Sequence, residues 1–429
     1  MLIAFLCGVI ALIFVRFAPG VVWQPLGLAP AMYFCMSLLV MLVGFMTAMH
    51  FFQHRNSVKD NFAPVAKVES WQLSLIFLLF FLNLVATVEK YDELGLKVFS
   101  IDAINQLRLE RARDDVQTIG SGLFGVLSSA TSGIVFFLVA AVAVKVKERK
   151  QTWHLWCAIA AATVVGLLNG GRFILFILVL SLLLHFRGEV GRLVPRKQRV
   201  LAYGSIIIVC CLWVAEVFAL RIEYAGYEHG QWSLYMNREL GGFSLTPAAA
   251  NFLDSSQRSV SLVYLLYLML VFYIGHGVHE FVLLFEYASN GWLAVSWGGY
   301  QLYPFVPALQ LIGLPFTGIA EIQASLPKIG VYTTLLGPML VDFGLMGAVL
   351  AMWFLGLVFG WLSGFRRRGL VAGAVYFAIG ISFACAPIVG MLGTSITPSI
   401  LALAIFFALA GGIRNLLILA SGPVRKKEP

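Results

Sequence analysis

Apolar runs long enough to cross a bilayer recur along this chain, and the segments between them carry charge asymmetrically. A span needs roughly 20 apolar residues to cross about 30 Å of hydrocarbon. On that ruler, spans are expected near 2–18, 30–52, 70–88, 121–144, 153–169, 172–186, 200–220, 333–362, 370–389 and 396–417. Placed so, 19 of the 30 Lys and Arg, but only 5 of the 21 Asp and Glu, fall on one side. They lie in short segments such as Lys145–Lys150, Arg187–Arg199, Arg366–Arg368 and Arg425–Lys427. Short loops rich in Lys and Arg stay in the cytoplasm, so both termini are expected there. The net charge of +9 is then a topology signal and calls for no nucleic-acid partner.

With 60% apolar and 12% charged residues, the chain has too few charges to cover a water-facing surface of its length. The expected fold is all-α, a polytopic membrane protein of about ten transmembrane helices, within a range of about 10–12. The start, Met1 to Val15, lacks a basic leader and a small-residue cleavage site, so it reads as a retained first span. The six cysteines (Cys7, Cys35, Cys157, Cys210, Cys211 and Cys385) fall inside apolar runs and read as packing residues.

Three regions follow from this layout. Residues 1–220 hold seven spans and an outer amphipathic segment at 89–120, where Ile104 and Leu107 stand among Arg108, Glu110, Arg111 and Arg113. Residues 221–332 form a large outer loop, and residues 333–429 hold the last three spans and the basic tail. Ser259–Gly275 is apolar enough to span, yet a single crossing there would carry Arg366–Arg368 outside. The expectation is therefore a re-entrant hairpin of 259–275 and 277–288, or two interfacial helices. Trp292–Gly330, rich in Gly, Pro and aromatics, reads as an outer lid or cradle. No glycine-rich nucleotide loop, zinc spacing or Ser/His/Asp signature is present.

Several pieces carry a resemblance. Val331-Tyr332-Thr333-Thr334 is followed by Val341-Asp342-Phe343-Gly344-Leu-Met-Gly347 and then Leu355-Gly356. Upstream, in order, stand Gly170-Gly171-Arg172, Arg221, and Tyr273-Ile-Gly275-His276-Gly277-Val-His279-Glu280-Phe281. Together these resemble the oligosaccharide repeat-unit polymerases, the O-antigen polymerase group of bacterial envelopes, over roughly residues 160–365. Gly330 stands where that family commonly has Asn. The resemblance implies an inner-membrane enzyme with its site facing the periplasm. It would pass a glycan from undecaprenyl diphosphate to the terminal sugar of another lipid-linked unit, by inverting transfer without metal or cofactor. Donor and acceptor lipids, membrane lipid and a chain-length regulator are the partners it implies. An O-antigen ligase-like transferase shares this chemistry, and a lipid-linked oligosaccharide flippase or transporter would also use intramembrane charges.

Such a transfer needs cations for the departing diphosphate and a base for the acceptor hydroxyl. Arginine suits the first because its planar fork binds phosphate oxygens bidentately and keeps its charge when desolvated. Arg172 is the leading candidate, with snorkelling to outer headgroups as the alternative. Arg221 is the second, although Glu216 stands five residues before it. Arg238 and Arg258 are further candidates, set among Glu239 and Asp254, where solvated ion pairs are common. For the base, His276, His279 and Glu280 cluster in an apolar stretch, unless they merely close a turn at Gly275 and Gly277. Two His and one Glu on one face would be a poor metal site for want of a fourth ligand. Asp342, about three turns into its span, is either the base or the buried partner of Arg172 or Arg221. Trp292, Trp297, Tyr300, Tyr303, Phe305 and Phe316 suit sugar stacking or interfacial anchoring.

Overall fold

A computed structural model of the chain describes residues 2–56, 70–93, 196–302, 306–311, 313–327, 334–363, 380, 382–383 and 386–388. The expected spans at 121–144, 153–169, 172–186 and 396–417, and most of the 89–120 segment, lie outside them. The described residues are mostly helical: α1 (Leu2–Arg16), α2 (Leu28–Asn56), α3 (Ser70–Glu93), α4 (Arg196–Tyr224), α5 (Trp232–Glu239), α6 (Pro247–Ser255), α7 (Arg258–Ser289), α8 (Val306–Leu311), α9 (Ile319–Ala324) and α10 (Leu336–Ser363). Two short strands, β1 (Val21–Trp23) and β2 (Phe243–Leu245), pair antiparallel with Val22 opposite Ser244. Among the described residues three helices are long and apolar enough to cross a membrane, at Leu28–Phe51, Arg258–Ser289 and Leu336–Trp361.

The second of these corrects the expected hairpin. Residues 258–289 form one uninterrupted helix of 32 residues, with Gly275 and Gly277 in its interior rather than in a turn. Each glycine instead admits a neighbour at close range. A Cβ at Gly275 would collide with the Trp23 indole, and one at Gly277 with the Ile388 carbonyl oxygen. The helix stops where its sequence supplies a left-handed residue. Gly291 has φ +74°, the Trp292 N–H donates to Tyr287 O and the Gly291 N–H to Ala288 O, which is a Schellman cap. The same device closes α4: Gly226 has φ +91°, and the Tyr227 N–H donates to Ile222 O.

Residues 225–257 are a packed unit and not an open loop. Trp232, Met236, Leu253, Leu265 and Leu268 are fully or almost fully buried in one cluster with Phe218 of α4 and Val15 and Val21 near the N-terminus. Each large side chain removed from water in this way contributes roughly 1.5–3 kcal/mol. Helix α6 starts at Thr246-Pro247, where the Thr246 hydroxyl accepts from the Ala249 N–H and Pro247 occupies the first helical position. The ribbon β1–β2, extended by Gln24 N–H to Gly242 O and Thr246 N–H to Gly20 O, ties this unit to the segment after α1. Strands of three residues leave no readable alternation, which is why the ribbon is absent from the sequence reading.

Helices α2 and α10 pack in parallel and in register. The Tyr33 hydroxyl donates to Leu345 O at one end, and further along a Cβ on Gly44 would strike Trp353 O, one on Gly356 Met41 O, and one on Gly360 Phe45 O. Gly356-x-x-x-Gly360 therefore faces Gly44-x-x-x-Ala48, small against small, so the backbones approach closely. A parallel pair leaves both helices heading the same way. In sequence each ends at bases, Arg55 in the last turn of α2 with Lys59 after it, and Arg366–Arg368 after α10, as the charge pattern leads one to expect.

Replacing Gly356 by Ala should destabilise the protein by about 1–3 kcal/mol, because the struck atom is backbone and has no room to yield. Gly204→Ala in α4, where a Cβ meets nothing within 4 Å, should be neutral or stabilising by up to about 1 kcal/mol. Thermal unfolding of both variants in detergent measures the contrast.

Candidate functional site

One face of α7 gathers ionisable side chains. Tyr273, His276 and Glu280, at spacings of three and four, project from the same side, and His276 and Glu280 are only 3% and 5% exposed. The His276 ring lies over Phe272, centroids 4.6 Å apart, with its edge to Tyr273 at 5.5 Å. Its Nδ1 stands 3.1 Å from Phe272 O. A carbonyl only accepts, so Nδ1 carries a proton. His279 points elsewhere, toward the turn between α5 and β2, where a Cβ on Gly242 (φ +88°) would overlap its imidazole. The turn needs glycine twice over, for its left-handed backbone and for the ring beside it.

Gly277 brings a second chain segment to this face. A Cβ there would lie 3.5 Å from the Thr334 N as well as striking Ile388 O. Thr334 is fully buried, and its hydroxyl has no hydrogen-bond partner among the described residues. The Leu335 N–H donates to Ala386 O at 3.2 Å, which seats the start of α10 beside the 386–388 turn.

The third element is α4. Phe218 meets Tyr273 at 5.6 Å, and Arg221 lies near Tyr235 of α5, which in turn neighbours Tyr273. Burial pushes the Tyr235 phenol up from its ordinary range, and the Arg221 guanidinium opposes that. Arg221 is half-buried, and among the described residues no carboxylate forms an ion pair with it. Glu216 and Glu223, the acids that flank it in sequence, are both taken by another group.

That group is Arg258. Its Nη2 lies 3.0 Å from Glu216 Oε1 and 3.2 Å from Glu223 Oε1, fastening the start of α7 to α4. One guanidinium between two carboxylates leaves a net negative triad, which does not suit a second anion. Arg258, expected among the diphosphate ligands, is here engaged with two carboxylates. Its supposed neighbours are engaged too. Asp254 accepts from the Ser233 N–H at 3.0 Å and from the Ser233 hydroxyl, and Glu239 accepts from the Tyr227 hydroxyl at 2.8 Å. The bond to Glu239 is the main reason the exposed Tyr227 phenol is raised. Arg238 is exposed in the last turn of α5. Arg172, Tyr303 and Phe305 lie outside the described residues.

Asp342 is not three turns into an unbroken span. Gly344 has φ +67° and ψ −175°, so α10 breaks two residues after Asp342. The fully buried carboxylate accepts from the Ser296 hydroxyl, from the Tyr300 N–H at 2.9 Å and from the Gln301 N–H at 3.3 Å. Carbonyls freed by the break accept as well: Ser296 N–H to Val341 O at 3.1 Å and Trp297 N–H to Asp342 O at 2.8 Å. Arg221 is not among its partners, so the expected Asp342–Arg221 pair is replaced by a latch holding the 296–301 loop. The latch forces Trp297 to φ +54°, a left-handed conformation that costs a bulky residue roughly 1–2 kcal/mol, and leaves its ring 72% exposed.

The sequence reading singled out the 273–281 cluster and Arg221 but missed Tyr235 and Ser296. Neither residue stands in a motif; only folding brings them to the site. No family model matches this chain, and neither does any curated protein or solved structure.

Asp342→Ala should strip three donors of their acceptor and raise protease cleavage within 292–302, with a stability loss of about 1–3 kcal/mol or more. Unchanged cleavage on limited proteolysis would remove the latch.

Proposed function

We propose that this chain polymerises undecaprenyl-diphosphate-linked oligosaccharide units into an envelope polysaccharide at the periplasmic face of a bacterial inner membrane. The observation that carries the reading is the meeting of Gly277 with Thr334. These residues belong to two separate pieces of the polymerase resemblance, and they adjoin around the buried His276 and Glu280. Arg221, half-buried without a carboxylate partner among the described residues, adds an unneutralised cation on the helix packed against that face.

In this reading the acceptor sugar's hydroxyl oxygen attacks the anomeric carbon of the donor glycan. The bond from that carbon to the diphosphate oxygen breaks with inversion, and the diphosphate leaves with the electron pair. His276 Nε2 or Glu280 takes the hydroxyl proton, a role that suits a base in a water-poor setting. Arg221, together with Arg172, stabilises the charge gathering on the leaving diphosphate, the task a metal performs in other transferases. Arg258 stays with its two glutamates and fixes α7 against α4.

The lipid-linked glycan profile of cells tests this. Without the protein, single repeat units should accumulate and long chains should vanish; build-up of finished chains would instead indicate a ligase, and unchanged profiles would dismiss both. Arg221→Lys should lower polymer formation by about tenfold or more at equal protein level, because a point charge does not replace the fork. Arg258→Gln should reduce the folded amount while leaving polymer per folded molecule near wild type.

A further inference from the structure

We propose that the break at Gly344 marks the outer boundary of the hydrocarbon, and that Trp297 and Trp361 are interfacial anchors at the two ends of one span. The inference does not depend on the glycan reading. Helix α10 extends over 28 residues from Leu336, but the non-helical backbone at Gly344 divides it in two. The roughly 19 residues from Leu345 to Ser363 rise about 28 Å, which matches a hydrocarbon thickness of about 30 Å. Leu336–Phe343, the part that bears Asp342, is then surplus to the crossing.

Charge fixes which end is which, since Arg366–Arg368 follow Ser363 in sequence and mark the cytoplasmic side. Between the ends, Met346, Leu350 and Phe354 form one outward stripe at fourfold spacing and are 81%, 67% and 61% exposed. Nothing polar interrupts it, so acyl chains are the partner it fits. Trp361, 42% exposed, continues the stripe at the cytoplasmic end. At the other end the latch pins the Trp297 N–H to Asp342 O, two residues before the break, with its ring projecting outward. Trp361 lies about 26 Å beyond the break at about 1.5 Å per residue, so the two tryptophans sit where aromatic belts meet the two headgroup layers. The strained φ of Trp297 acquires a reason: a relaxed loop would not hold a large ring at that level.

The consequence is a depth for the site. Asp342 and its loop would stand above the hydrocarbon, in the headgroup layer, with the carboxylate shielded by protein and not by lipid.

Depth measurement tests this on the full-length protein in vesicles of phosphatidylethanolamine and phosphatidylglycerol. With the six native cysteines replaced, nitroxides are placed by Trp297→Cys, Met346→Cys, Leu350→Cys, Phe354→Cys and Trp361→Cys. Collision with oxygen relative to a water-soluble nickel chelate should rise from 297 through 346, peak between 350 and 354, and fall at 361. A second measurement keeps the indole. The emission lost on Trp297→Phe should be quenched roughly twofold more by lipid nitroxides near the acyl carboxyl end than by those near the terminal methyl. A nickel-accessible label at 297, a label there reached by neither reagent, a peak at 346, or quenching that favours the terminal methyl would each overturn the proposal.

Discussion

A helix that breaks among apolar side chains must find new donors for the carbonyls it frees, since an unpaired buried backbone group costs as much as a lost hydrogen bond. At Gly344 those donors come from the Ser296–Gln301 loop, and the arrangement around the start of α10 follows from that requirement. The Ser296 and Trp297 N–H groups reach the carbonyls of Val341 and Asp342, while the Asp342 carboxylate collects the Tyr300 and Gln301 N–H groups. One loop thus satisfies the end of a half-helix, and one side chain satisfies the loop. Neither half is stable without the other, because each would leave several buried polar groups unmet.

Glycine serves opposite purposes in the two long helices that meet here. In α7, Gly275 and Gly277 stay helical and act as contact points, one for the Trp23 indole and the other for the backbone at Ile388 and Thr334. In α10, Gly344 leaves the helical region altogether, while Gly356 and Gly360 keep it and let α2 approach. Residue type alone does not tell these uses apart. Gly275 and Gly277 look in sequence like the two sides of a turn, and the apolar runs on either side are each nearly long enough to be separate helices. What decides is whether a neighbour occupies the space where a Cβ would be, and that is a tertiary fact.

The apolar stretches behind α2, α7 and α10, the glycines that cap α4 and α7, and the Thr-Pro start of α6 are local signals and could be read directly. So could the unusual grouping of His276, His279 and Glu280. Pairings across long separations could not. Arg258 stands next to Asp254 in sequence yet reaches back 35 residues to Glu223, and Asp342 bonds a loop more than 40 residues upstream. A charged residue in an apolar chain announces that it has a partner. It does not announce which one.

The arginines of the outer unit divide their work by helix face. Glu216 and Glu223, seven residues apart, share a side of α4 and hold Arg258 between them; Arg221 falls well off that side and turns toward Tyr235 and Tyr273. The two acids are thus spent on fastening α7, and they do not neutralise Arg221. Had Glu216 paired with Arg221 instead, the charge of that guanidinium would already be compensated. With both acids committed to Arg258, Arg221 keeps its charge with no carboxylate partner among the described residues. The triad thus fastens α7 to α4 and, by engaging both acids, leaves the Arg221 guanidinium beside Tyr235.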